Sequence, residues 1–158
     1  MSGYYARSSM DLEALAQGSE AIAFNAMIGV TTTRAETGHF EVVLPSRPDL
    51  LNHMEAVHAV PILAPAEMAS GMSVASALED LMAEGIVPIA KSLRVRYRKP
   101  ARGDLTAIPA LDPAVIEKAK VEARETGRAD FEVPVDIRNP DGDVVAEVVV
   151  EWAVRRMG

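Results

Sequence analysis

The segment "AVPILAPAEMASGMSVASALEDLM", residues 59–82, decides the fold. It is the longest stretch of small and apolar residues in the chain, and on a helical wheel it has almost no polar side. Ile62, Leu63, Ala66, Met68, Ala69, Met72, Val74, Ala75 and Leu78 point in nearly every direction. A helix that is apolar all round is a buried one. Charges return only in "EDLMAEG", where Gly85 can end it. One residue sits badly in this setting. Glu67 is a carboxylate among alanines, methionines and prolines, and such a group is costly unless it is paired, solvated or useful.

A buried helix needs a sheet to bury it, and the rest of the chain supplies strands. "IGVTTTRAETGHFEVVLPS" reads as a hairpin, with β-branched threonines, an "ETG" turn, and Phe40, Val42 and Leu44 alternating with Glu41 and Val43. In "KSLRVRYRKP", Leu93, Val95 and Tyr97 face one way while Arg94, Arg96 and Arg98 face the other. "GDLTAIPAL" is a partner strand. "ADFEVPVDIRNPDGDVVAEVVVEWAVRR" is two strands around an "NPDGD" turn, with Val144, Ala146, Val148, Val150, Trp152 and Val154 on one face. Two further helices are expected. One begins with Ser9 as N-cap and runs through "SMDLEALAQGSEAIAFNAM", weakened at Gly18. The other, "DPAVIEKAKVEARETG", has Asp112 as N-cap, Pro113 at its first turn and Gly127 past its end. Adjacent hairpins imply a mainly antiparallel sheet with one wet face. The expected architecture is α+β: a curled antiparallel sheet wrapped around a long central helix. Residues 1–9 form a flexible polar lead and residues 10–158 a single domain.

The totals exclude several function classes. A chain of 158 residues with 49% apolar and 25% charged side chains suits one soluble globular domain. Its formal charge of −7 argues against nucleic acid as the main partner. Without cysteine there is no disulfide, thiolate metal site or thiol nucleophile, which fits a reducing cytoplasm. The opening "MSGYYARSSMDLEALAQ" lacks an uninterrupted apolar region, so no signal peptide is expected, and no apolar run is long enough to span a bilayer.

The helix-and-sheet order resembles the hotdog fold, and "NHMEAVHAVPILAPAEMASG", residues 52–71, resembles that family's loop-to-helix signature. In the signature an Asn leads to a His-Gly-Gly-like step, with an acidic residue nine positions after the His. "VRYRKPARGDLTA" resembles the family's following strand and its Arg/Lys-Pro-Ala turn. The inserted "DPAVIEKAKVEARETGRADFEVPVDI" and the closing "VVAEVVVEWAVRR" are similar to the branch near the phenylacetyl-CoA-type thioesterases. The resemblance covers residues 10–156. It implies hydrolysis of acyl-CoA thioesters without a metal or separate cofactor, coenzyme A being part of the substrate. It also implies homodimers, often paired into tetramers, with the active site at the subunit interface.

Carried over residue by residue, the resemblance makes Glu67 the general base or nucleophile, reaching in from the partner chain. Asn52 and His58 shape the pocket. The backbone N–H groups near Ala59 and Val60, at the start of the central helix, polarise the thioester carbonyl. The chemistry suits the positions. An orphan N–H at a helix N-terminus stabilises a developing oxyanion, and an apolar setting raises a carboxylate's pKa and strengthens it as a base. The chain departs from the pattern where glycines are usual, carrying Ala59 and Val60, and Glu55-Ala56-Val57 ahead of the His. Pro61 and Pro65 each remove an N–H. These departures favour an alternative, a module that binds an acyl-CoA or similar ligand without hydrolysing it. A hydratase or dehydratase would need an acid–base pair that the sequence does not place.

Other features have plainer readings. Arg94 and Arg96 are expected to pair across strands with Glu132, Asp136, Glu147 or Glu151 on the wet face. Arg98, Lys99 and Arg102, at the strand's end and in the turn before Gly103, are where similar proteins hold the coenzyme A phosphates, to which guanidinium groups are suited. Ser70, Ser73 and Ser76 have no nucleophile elbow around them and read as small packing residues. His39 reads as a solvent-facing turn residue. The spacing of His53, His58 and Glu67 does not match a helical zinc-ligand pair.

Overall fold

The structure is a computed structural model that describes residues 10–158. The flexible lead and the Ser9 cap expected from the sequence fall outside the described residues. Two short helices come first, α1 (Leu12–Glu20) and α2 (Ala23–Ile28), followed by the hairpin strands β1 (Thr31–Glu36) and β2 (His39–Leu44). After a single 3-10 turn at Pro48–Leu50 comes the central helix α3 (Leu63–Ala77), with a short continuation α4 (Glu79–Ala83). Then follow β3 (Ile86–Tyr97), β4 (Leu105–Pro109), α5 (Pro113–Thr126), β5 (Arg128–Arg138) and β6 (Val144–Arg156).

The six strands form one sheet in the order β1-β2-β4-β5-β6-β3, with every neighbouring pair antiparallel. The sheet curls around α3, which is buried at ten of its fifteen residues. Phe40, Val42 and Leu44 of β2, Leu105 and Ala107 of β4, Val133, Val135 and Ile137 of β5, and Val148 and Val150 of β6 are all essentially inaccessible on the face that meets the helix. The alternation read in the sequence is therefore the inward and outward pleat of this sheet. β1 and β3 are its two edges.

Three helix boundaries differ from expectation. The first helix breaks at Ala21–Ile22 instead of running through, and its cap is Asp11, whose side chain accepts the Ala14 N–H at 3.0 Å. Long-range bonds fix that corner. Glu20 accepts the Thr32 N–H at 2.6 Å, and the Asn25 amide donates to the Ser19 carbonyl at 2.9 Å. The central helix begins at Leu63, not Ala59. Pro61 lies in a turn whose carbonyls are used early: Leu63 N–H returns to Val60 O and Ala64 N–H to Pro61 O, both at 3.1 Å. Pro65 then occupies the third helical position, where an N–H has no intrahelical partner in any case. Finally, α3 ends at Leu78, a buried residue outside helical geometry (φ −105°, ψ 21°), before α4 continues to Ala83.

The α3 serines do more than pack. Ser73 Oγ accepts the Phe40 N–H at 2.9 Å and donates to Ala69 O, and Ser76 Oγ accepts the Gly38 N–H at 2.9 Å and donates to Ser73 O. β4 joins β2 only from Val42 onward, so these hydroxyls serve the stretch of β2 and its turn that β4 does not reach. Ser70 Oγ donates to Glu67 O and accepts the Trp152 indole N–H at 3.2 Å. Gly71 lets Trp152 lie this close, since a Cβ there would be 2.9 Å from the indole. Each buried polar atom in this part of the helix has a partner, as burial requires.

Candidate functional site

The approach to α3 is a looped segment, residues 51–62, shaped by Asn52. Its carboxamide oxygen accepts the N–H groups of Met54 (2.9 Å) and Ala56 (3.2 Å), which fixes the amide's orientation and turns its Nδ2 away from the loop backbone. Glu55 is held at φ 55°, a left-handed conformation that suits glycine better than a side-chain-bearing residue. Arg102 braces it from outside, its guanidinium donating to the Glu55 carbonyl at 3.2 Å. Val57 N–H donates to Ala101 O and His58 N–H to Leu50 O, so the loop is stitched to the turn after β3.

Between loop and turn lies a cavity of about 340 Å³, lined by Asn52, Ala59, Ile62, Tyr97, Arg98 and Lys99 among others. It brings together four of the residues singled out from the sequence: Asn52, Ala59, Arg98 and Lys99. Glu67, His58, Val60 and Arg102 do not line it. Glu67 sits further along α3, half-buried, and its carboxylate makes no hydrogen bond or ion pair among the described residues. Burial alone pushes its pKa above the usual carboxylate range. His58 and Val60 are exposed.

The expected oxyanion donors lie ahead of the helix, not in its first turn. Within that turn Leu63 and Ala64 donate backward and Pro65 has no N–H, so those three residues offer nothing to a ligand. Val60 N–H donates to His58 Nδ1 at 3.2 Å, which requires that nitrogen to be unprotonated. Ala59 N–H makes no bond among the described residues.

The basic run divides by partner. Arg94 pairs with Glu132 at 2.7 Å, as expected for the wet face. Arg96, although in register with Glu147, makes no ion pair among the described residues, because Arg98 takes that carboxylate, its Nε 2.9 Å away. Lys99 lies 3.2 Å from Asp143. Arg102 faces only the Glu55 carbonyl. His39 is half-buried and bonded through Nε2 to Glu41 at 2.9 Å, correcting its reading as a solvent-facing residue. Among the described residues no three His, Asp or Glu side chains are grouped to hold a metal ion, and no helix is long and apolar enough to cross a membrane.

Sequence reasoning missed Tyr97 as a site residue, reading it only as an inward member of an alternating strand. Its hydroxyl donates to the Ala59 carbonyl at 2.8 Å and its ring lines the cavity. The only signal available was an aromatic residue immediately before the basic turn.

Residues 13–154 match the family model described as Domain of unknown function (DUF4442). The chain belongs to that family. Among solved structures, this DUF4442 chain is similar to a Pseudomonas aeruginosa protein of unknown function described as a probable thioesterase. The two share 26% identity and a TM-score of 0.84, over 94% of this chain and 97% of the other. It is also similar in fold to a Haemophilus influenzae thioesterase, with 17% identity and a TM-score of 0.72, over 93% and 92% of the two chains. A Chlorobaculum tepidum protein of unknown function shares 16% identity and a TM-score of 0.76, over 92% and 94%. No curated protein matches the chain. The DUF4442 chain thus has the thioesterase-like hotdog fold expected from its sequence.

Proposed function

We propose that this protein hydrolyses acyl-CoA thioesters, with Glu67 activating water for attack on the thioester carbonyl. One observation carries the reading. On the central helix of a thioesterase-like fold, Glu67 is a half-buried carboxylate with no partner among the described residues and a pKa raised by desolvation. Placing a bare carboxylate there costs stability, and base catalysis is what such a group is suited to do. Asn52 and Ala59 line the cavity, and Asn52 Nδ2 with the N–H groups of Ala59 and the adjoining Val60 are the donors proposed for a developing oxyanion. Arg102, which has no carboxylate partner among the described residues, is the cation proposed for a coenzyme A phosphate. Arg98 and Lys99 line the cavity but reach a phosphate only by leaving Glu147 and Asp143. No metal or separate cofactor takes part in the proposed reaction.

We infer that the working unit is a homodimer, the basis for any dimer of dimers. β3 is a twelve-residue edge strand whose Leu93 and Tyr97, on one face, stay 38% and 46% exposed in the single chain. An edge of that length with an apolar row is a template for pairing with a second copy. Such pairing brings a second chain close to the cavity beside Tyr97, so that Glu67 from one chain can complete the pocket of the other. The sequence likeness to the phenylacetyl-CoA-type branch makes aryl acyl-CoAs the first substrates to test.

The test is thiol release from a panel of short, long and aryl acyl-CoAs. The absence of cysteine gives a thiol reagent no protein background. The reading predicts turnover that collapses in Glu67→Gln while fold and ligand binding persist. A second reading, binding without hydrolysis, is favoured by Val60 N–H being taken by His58 and by the spent first turn of α3. Saturable CoA-ester binding with no turnover, unchanged in Glu67→Gln, would establish it.

A further inference from the structure

We infer that Tyr97 is a positioning residue whose hydroxyl sets the plane of the Ala59–Val60 peptide, the unit carrying the proposed Val60 oxyanion donor. The inference goes beyond the thioesterase reading but takes from it the role of that N–H.

A peptide unit just ahead of a helix is ordinarily held by the helix. Here that hold is missing. Leu63 N–H goes to Val60 O and Ala64 N–H to Pro61 O, so neither reaches back to Ala59 O. Pro61 has no N–H to contribute. The Ala59 carbonyl is instead bound from the sheet, by Tyr97 Oη at 2.8 Å, at the last residue of β3. On the other side of the same rigid peptide, Val60 N–H is bound by His58 Nδ1 at 3.2 Å. The unit is pinned through both its polar atoms by side chains from two different elements. Burial raises the Tyr97 pKa above its ordinary value, so the phenol remains a donor.

Two consequences follow. A hydrogen bond to a peptide carbonyl polarises the amide and strengthens its N–H as a donor. Tyr97 therefore prepares the Val60 N–H electrically as well as in direction. The two pins also differ in kind. Tyr97 lies on a strand and lines the cavity, whereas His58 is an exposed loop side chain whose imidazole can swing aside. A substrate oxyanion can displace His58 from Val60 N–H without disturbing Tyr97, and the peptide plane survives the exchange.

The experiment is Tyr97→Phe in the full chain, read in two ways. The first is the carbonyl carbon resonance of Ala59 and the amide resonance of Val60, assigned in both proteins by isotope labelling. The second is kcat and KM on the best thioester from the substrate panel. Loss of the phenol should move both resonances, while those of distant core residues such as Val133 and Ile137 hold still. It should also lower kcat about tenfold, the worth of one hydrogen bond, with KM changed less than twofold. Unmoved resonances at Ala59 and Val60 would overturn the inference, as would unchanged kcat in an active enzyme. The two readings separate cleanly. A wild-type chain that turns over no thioester defeats the proposed function, and the resonances then still decide whether Tyr97 holds the peptide.

Discussion

Two neighbouring stretches of α3 treat buried polar groups in opposite ways. From Ser70 to Ser76 every hydroxyl both donates and accepts, tying the helix to β2, its turn and Trp152. One turn earlier, Glu67 is half-buried with no partner among the described residues, and desolvation raises its pKa. The serines are polar groups made safe by structure, and their removal is a matter of stability. Glu67 is a polar group kept unsatisfied, and its removal is a matter of chemistry. The same contrast extends beyond the helix, where the loop before α3 leaves Ala59 N–H without a partner among the described residues and gives Val60 N–H to the exposed His58 imidazole.

The largest effect that would break this contrast is on turnover. Glu67→Gln should lower kcat by about a hundredfold or more, the ordinary worth of a general base, with the circular dichroism spectrum unchanged. A serine variant with an equal loss per folded molecule would erase the distinction. Ser73→Ala strands the buried Phe40 N–H and should cost about 1–3 kcal/mol in urea unfolding, as should Gly71→Ala, whose new methyl meets the Trp152 ring. Both should keep kcat per folded molecule near the native value. Arg102→Ala should raise KM about tenfold for a CoA ester and leave it unchanged for the same acyl group on a pantetheine fragment lacking the nucleotide. The ion-paired Lys99, changed to Ala, should have the smaller effect.

The smallest effect has a sign that the contrast fixes. Because burial raises the Glu67 pKa on folding, the folded chain holds that proton to higher pH than the unfolded chain does. Ionised Glu67 therefore costs stability above its raised pKa, and the cost vanishes below the unfolded value. Glu67→Gln should raise Tm at neutral pH, on the order of 2–4 °C, and lose that advantage as pH falls through the carboxylate range. Thermal melts at neutral and acid pH measure it.

The legible parts of the molecule were those whose cause is local. Asp112, Pro113 and Gly127 bound α5 as read, because caps act within a turn of themselves. The alternation of β2 and β6 gave their inward faces, because a pleat has period two and one face is buried. The start of α3 was not legible in the same way. Pro61 could mark a kinked first turn or a later start, and the choice rests on where the Leu63 and Ala64 amides turn. The Arg98–Glu147 pair, the Glu20–Thr32 bond and the Tyr97–Ala59 bond join residues 49, 12 and 38 positions apart. Strand parity could offer Arg94 several carboxylates across such gaps, Glu132 among them, but no spacing rule chooses the partner. Glu67 itself was conspicuous from its apolar neighbours, but that it lacks a partner became visible only once the sheet had closed around the helix.

The central claim is that desolvation of Glu67 makes it the base, and the pH dependence of kcat/KM tests this most directly. In the native chain the account predicts a limb that rises with pH, with an apparent pKa above the ordinary glutamate value, and predicts that Glu67→Gln abolishes that limb along with most of the rate. The same limb, at the same pH, in a Glu67→Gln protein that still turns over would assign the base elsewhere and contradict the account.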